Sequence, residues 1–281
     1  MSTIERAMQR ARRSGRDAAA NAGAETLEHP SIQDRRRPQR EYTTIKLDLQ
    51  RLRRQGYLTP EADQRDLQEQ YRMVKRPLLG HAFGDTELGP NSPKLIQVTS
   101  SVDAEGKTFT AFNLAMSIAM EMDFTVVVVD SDLSRRALSS LVGLERAAGL
   151  TDILQSETPD VGEVIYTTNV PRLSVIPAGR PHPRSAELTA SGGMRQMTRE
   201  LATRYPDRVV LFDSPPLLMD SQAATLAAYM GQVLVVVEAG RTSERVLRDG
   251  LELVDQSRSR VGLLLNKSPR GYGYGYYGGY Y

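Results

Sequence analysis

The 281 residues contain no cysteine, which excludes disulfides and thiolate-ligated metal and fits a reducing cytoplasm. Also missing is any apolar run approaching the length of a membrane span; the longest, such as Val233-Leu-Val-Val-Val237, are strand-sized. The first residues have no signal-peptide-like apolar segment, so the chain is expected to be cytoplasmic, with any membrane association coming through a partner or surface charge. The excess of one sign of charge is small overall, the net being +2, but residues 1–60 carry 13 Lys and Arg against 7 Asp and Glu. Clustered arginines such as Arg35-Arg-Arg37 leave three readings open: nucleic acid, an anionic inner leaflet, or a solvated arm.

What is present divides the chain into four stretches. Residues 1–40 open with Ser2-Thr-Ile-Glu5, a capping box for a short basic helix, and continue in Ala, Gly, Ser and Arg with few large apolar residues, a composition that predicts disorder. Residues 41–90 read as a helical arm. Ile45, Leu49 and Leu52 share one helical face, Tyr57-Leu-Thr-Pro60 turns the chain, and Leu67, Tyr71 and Val74 mark a second helix. That helix carries Glu69-x-x-Arg72-x-x-Lys75, three charges on one side, suited to an intrahelical ion pair or to pairing with a neighbouring subunit.

Residues 91–270 alternate strand and helix, the pattern of a P-loop NTPase-like α/β fold with a doubly wound, mostly parallel sheet. Helices are predicted at 109–120, 137–142, 149–154, 185–205 with a Gly192-Gly193 interruption, 221–229 and 242–256; strands are predicted at 94–98, 125–130, 172–176, 208–213, 232–237 and 261–265. The first strand breaks into Ser101-Val-Asp-Ala-Glu-Gly-Lys-Thr108 and then a helix, the context of a phosphate-binding loop. Lys107 would reach the β/γ phosphates and the Thr108 hydroxyl would face Mg²⁺; the first glycine of the usual motif is Ser101 here.

Two buried strands end in acids. Thr125-Val-Val-Val-Val-Asp-Ser-Asp132 places Asp130 and Asp132 at the carboxyl edge of the sheet, and Arg208-Val-Val-Leu-Phe-Asp-Ser-Pro-Pro216 does the same with Asp213. A phosphate cradle, a lysine and carboxylates meeting there suit the oxygen-seeking Mg²⁺ of phosphoryl transfer. Asn266, at the tip of the last strand, is a candidate contact for a nucleotide base or a simple turn former. The final stretch, 271–281, holds Tyr272, Tyr274, Tyr276, Tyr277, Tyr280 and Tyr281, half of the chain's 12 tyrosines, among glycines that deny them a packed face. Exposed phenols are what a phosphoryl-transfer site needs as acceptors.

Taken together, these residues resemble the bacterial tyrosine kinases of capsule and exopolysaccharide pathways, and within them the exosortase (XrtA)-associated tyrosine autokinases. The likeness runs through Val98-Thr-Ser100, Glu105-Gly-Lys-Thr-Phe-Thr110, Val129-Asp-Ser-Asp132, Gly149-Leu-Thr-Asp152, Ile176-Pro-Ala-Gly179, Phe212-Asp-Ser-Pro-Pro216, Val237-Glu-Ala-Gly-Arg-Thr242, Leu265-Asn-Lys267, Val74-Lys-Arg-Pro-Leu-Leu79 and the tail. It implies ATP and Mg²⁺ as cofactors. Ser101, Glu105, Gly106, Lys107, Thr108, Phe109 and Asn266 would contact the nucleotide, and Thr108, Asp132 and Asp213 would serve the metal. Lys107, Asp130 and Asp132 would be catalytic, Asp130 as the base. Glu69, Arg72 and Lys75 match the family's Glu-x-x-Arg-x-x-Arg helix, which joins copies into an octamer-type ring so that each tail reaches its neighbour's site. The implied partners are a separate membrane chain-length activator and a tyrosine phosphatase, with no nucleic acid, at the inner face of the membrane.

The chain departs from that pattern at Asp103-Ala104, where proline and glycine are usual, at Ser134 and Arg136, and at Lys75. A carboxylate beside phosphates is unfavourable unless Asp103 points away. Two other readings stay open: a MinD/ParA-like ATPase switch, whose signature lysine would fall at Val102, and a nucleotide-poor scaffold that uses its tail for adhesion.

Overall fold

The computed structural model describes residues 42–60, 63–84, 91–156, 160–204 and 207–268. All of these fall in the unit that begins at Tyr42. The basic segment 1–40 and the tyrosine tail 271–281 lie outside the described residues, as do the expectations attached to them.

Eight strands form one sheet in the order β1-β4-β5-β3-β6-β2-β7-β8. They are β1 (Thr43–Ile45), β2 (Leu95–Ser100), β3 (Thr125–Asp130), β4 (Tyr166–Thr168), β5 (Leu173–Ile176), β6 (Arg208–Asp213), β7 (Gln232–Glu238) and β8 (Arg260–Asn266). Every pairing is parallel except β4 with β5. The central strands are buried on both faces, as their runs of valine and leucine dictate. Val126 and Val128 face one apolar cluster; Val127 and Val129 face the other.

Helices cover both faces. They are α1 (Leu49–Arg54), α2 (Arg65–Phe83), α3 (Lys107–Ala119), α4 (Ala137–Val142), α5 (Leu150–Leu154), α6 (Ser185–Thr189), α7 (Gly192–Arg204), α8 (Ser221–Ala227) and α9 (Glu244–Leu251). Helix α3 is buried from Thr110 to Ala119, because it lies between the sheet and α2. The result is the doubly wound, mostly parallel architecture that the alternation predicts.

Several elements differ from the sequence reading. Ile45 belongs to edge strand β1, not to a helical face, because pairing with β4 gives its backbone a partner. Residues 42–84 therefore join the sheet and its covering layer. The helix predicted over 185–205 is two helices, with the break at Ala190-Ser191; Gly192 and Gly193 start the second one. The three-residue strands β1 and β4 were too short to leave a period in the sequence.

Candidate functional site

The site is assembled at the C-terminal ends of three neighbouring strands. β6 lies between β2 and β3, so Asp213 has Val98 opposite it on one side and Asp130 on the other. The chain leaving β2 closes a loop and enters α3 at Lys107. Gly106 turns that corner with φ +97°, and a Cβ there would come within 2.2 Å of Asn266 Nδ2, so only glycine fits. Ala104 is also left-handed, with φ +64°, a conformation that L side chains avoid.

Neighbouring strands brace the loop. The buried Glu105 carboxylate accepts from Val102 N at 2.8 Å, from Glu238 N at 3.3 Å and from the Thr242 hydroxyl. Asn266 Nδ2 donates to Glu105 O at 2.8 Å, and Lys267 Nζ donates to Ala104 O at 2.6 Å. The side chains of three of the expected nucleotide contacts are engaged within the fold. The Glu105 side chain is turned into the fold; the Asn266 amide nitrogen is engaged by the loop; the Phe109 ring packs on Tyr57, 4.9 Å between centroids. Ser101 is fully buried, and its hydroxyl has no hydrogen-bond partner. Thr242 and Lys267, which brace the loop, went unassigned in the sequence although both sit in stretches that resemble the family.

Lys107 Nζ lies 3.1 Å from Asp132 Oδ2, and Asp132 Oδ1 accepts from Arg135 N at 3.1 Å. Asp130 is fully buried, and its Oδ2 accepts from Ser139 N at 2.7 Å and Ser139 Oγ at 2.6 Å, at the start of α4. Burial pushes Asp130 up to about 6, against those hydrogen bonds. Burial, reinforced by the Asp130 charge, pushes Asp213 up to about 8, with Lys107 and the Thr108 hydroxyl acting the other way. Ser139, unassigned in the sequence, is what orients Asp130.

Whether such a pocket suits a hard cation can be judged from its oxygens. Asp130 Oδ1 and both oxygens of Asp213 are buried without a well-formed hydrogen bond, the Thr108 hydroxyl lying close to Asp213. Bare buried carboxylate oxygens of this kind fit Mg²⁺. Among the described residues no three carboxylates or imidazoles form a closed metal cage. Mg²⁺ held by one or two carboxylates together with phosphate oxygens requires none.

No family model matches the chain. It is 30% identical over 190 residues to the tyrosine-protein kinase CpsD of Streptococcus agalactiae, an alignment that covers 66% of this chain and 81% of that protein. The chain belongs to the bacterial tyrosine kinases. The solved kinase domain of the Escherichia coli tyrosine kinase ETK is similar to it with a TM-score of 0.63 and 25% identity, covering 84% of this chain and 95% of that one. The Mg-ADP complex of the septum site-determining protein MinD from Pyrococcus horikoshii is similar in fold, with a TM-score of 0.53 and 20% identity over 63% of this chain and 72% of that one.

Away from the cradle, Glu69 and Arg72 of the kinase pair with each other along α2. Lys75, the third member of the trio expected on one side of the helix, is engaged inside its own copy. It is buried, with Nζ donating to Ser117 O at 2.7 Å and pairing with Glu121 at 2.5 Å, so it fastens α2 to α3 within one copy. Among the described residues no helix is long and apolar enough to cross a membrane.

Proposed function

We propose that this tyrosine kinase transfers the terminal phosphoryl group of Mg·ATP to Tyr272, Tyr274, Tyr276, Tyr277, Tyr280 and Tyr281 of another copy, and so regulates exopolysaccharide or capsule synthesis or export. The observation that carries this is the convergence of Lys107, Asp130, Asp132 and Asp213 on one buried edge of the sheet. Bound Mg²⁺ supplies charge neutralisation for the transferring group. The loop N–H groups and the first turn of α3 hold the phosphates, and Lys107 exchanges Asp132 for a phosphate oxygen. Thr108, Asp132 and Asp213 hold the metal.

Asp130 acts as the base through its bare Oδ1, and its raised proton affinity suits that task near neutral pH. As the phenol oxygen bonds to phosphorus, the bridging P–O bond breaks, the phenol proton passes to Asp130 and ADP leaves. Residues 91–270 form the catalytic part, and 41–90 the assembly arm. Glu69 and Arg72 join copies into a ring, octamer-type by resemblance, which presents each tail to its neighbour at high effective concentration. Each phosphotyrosine adds about −1.5 to −2 of charge, so a modified tail repels others and disperses the ring. A membrane chain-length protein activates the kinase at the inner face of the membrane, and a phosphatase resets the tail.

The test is a mixing experiment with Mg·ATP and phosphosite mapping by mass spectrometry. The Lys107→Met chain with an intact tail is incubated with a Lys107-intact chain stopped at Arg270. Phosphotyrosine on the Lys107→Met tail is the expected result, since neither chain can produce it alone. ATP hydrolysis without it supports a switch in place of a kinase, and a modified tail in the full wild-type chain, run in parallel, with none in the mixture would demand transfer within one copy.

A further inference from the structure

The two loops that make the cradle are bridged twice, with opposite polarity. Lys107, after the phosphate loop, pairs with Asp132 at 3.1 Å. Asp103, within the phosphate loop, pairs with Arg135, which follows Asp132 by three residues. The second bridge is odd for its place: a loop that receives phosphates offers N–H donors, and a carboxylate there repels the ligand. One Asp103 oxygen, Oδ1, is moreover buried without a hydrogen-bond partner.

The neighbouring arginines are differently held. Arg136 donates to Gly179 O at 2.6 Å and to Glu145 O, and Arg180 pairs with Asp152 at 2.6 Å. Arg135 has its guanidinium on Asp103, with the side chain about half exposed at 52%. A guanidinium fork that binds a carboxylate binds phosphate by the same geometry. A polyphosphate carries more negative charge than one carboxylate, so exchange between the two is downhill for the arginine.

We infer that Asp103 holds Arg135 in the nucleotide-free kinase as an internal stand-in for phosphate, and that Arg135 passes from Asp103 to the phosphate oxygens when the triphosphate binds. This rests on the reading of the cradle as the ATP site. Arg135 is then a phosphate-binding residue, and Asp103 is a brake that weakens nucleotide binding by competing for it. The brake also explains how an acid is tolerated in this loop: its partner neutralises it until the ligand arrives.

The experiment is a double-mutant cycle read as affinity for a non-hydrolysable Mg·ATP analogue by calorimetry, using the full chain, Asp103→Asn, Arg135→Gln and the double variant. Competition predicts that Asp103→Asn tightens binding about tenfold, as removal of one close charge pair does, and that this gain shrinks below about threefold in the Arg135→Gln background. An equal gain in both backgrounds would mean that Asp103 repels phosphate without reference to Arg135, and would overturn the inference. So would unchanged affinity with lowered melting temperatures, the mark of a purely structural pair. If the wild type and every variant, all folded by circular dichroism, bind no nucleotide, the ATP-site reading itself is what fails.

Discussion

Asp130 and Asp213 stand directly opposite one another on β3 and β6, both fully buried, so two carboxylates share one pocket at the edge of the sheet. Burial raises the proton affinity of both, Asp130 to about 6 and Asp213 to about 8, with the Asp132 charge adding to the shift of Asp130 and the Asp130 charge to that of Asp213. An unfolded aspartate releases its proton near pH 4, about where model peptides do. Between that pH and about 8 the folded kinase therefore binds more protons than the unfolded chain, and stability falls as pH rises.

The nucleotide-free kinase is accordingly expected to melt at a lower temperature at pH 8.5 than at pH 6, and Asp213→Asn is expected to flatten the profile. Added Mg²⁺ with nucleotide should flatten it as well, since a bound cation favours the ionised carboxylates. Thermal melts followed by circular dichroism across this range decide the matter; a wild-type profile that rises with pH contradicts the pocket as described.

Ala104 and Gly106 both take left-handed backbone, yet only one is a glycine. Ala104→Gly removes the steric cost of that conformation and should stabilise the fold by about 0.5–1 kcal/mol, net of the extra freedom of the unfolded chain. Gly106→Ala drives a Cβ to 2.2 Å from Asn266 Nδ2 and should destabilise the loop by about 2 kcal/mol or more. Urea denaturation of the two variants should give shifts of opposite sign.

Lys75 is tied to Ser117 and Glu121 of its own chain. Lys75→Met is expected to cost about 1–3 kcal/mol of stability through the loss of a charged hydrogen bond that a buried carbonyl needs. Arg72→Ala, on an exposed side chain, should cost little stability and act on assembly. Chemical denaturation paired with light scattering separates the two; loss of assembly in Lys75→Met with undiminished stability would restore Lys75 to the interface.

Asn266 and Lys267 hold the carbonyls of Glu105 and Ala104. Asn266→Ala and Lys267→Ala should loosen the phosphate loop and raise KM for ATP about tenfold, with a smaller change in kcat. Steady-state kinetics at saturating peptide acceptor would reveal the split, and an unchanged KM would show that the loop holds its shape unaided.

The alternation of apolar runs made the central strands and their order in the chain legible, because valine runs such as Val126 to Val129 have one way to be buried. The acids at the strand ends and Gly106-Lys107-Thr108 were legible for the same reason: strand tips of a doubly wound sheet meet on one edge. What the sequence could not give was partnership. Glu105 reads as a loop residue beside phosphates, yet its carboxylate reaches Thr242, over a hundred positions away in sequence. Lys75 keeps helical spacing with Glu69 and Arg72, but its depth depends on how close α3 lies, which no period encodes. Asp103 read as a misfit until the fold supplied Arg135.

The chain joins the sheet at β1 and leaves it at β8, which are the two opposite margins of its eight strands. At the usual strand spacing of about 4.8 Å those margins lie about 34 Å apart. A probe on Thr44 of β1 and one on Leu265 of β8, both on exposed side chains, therefore report on opposite flanks of the sheet.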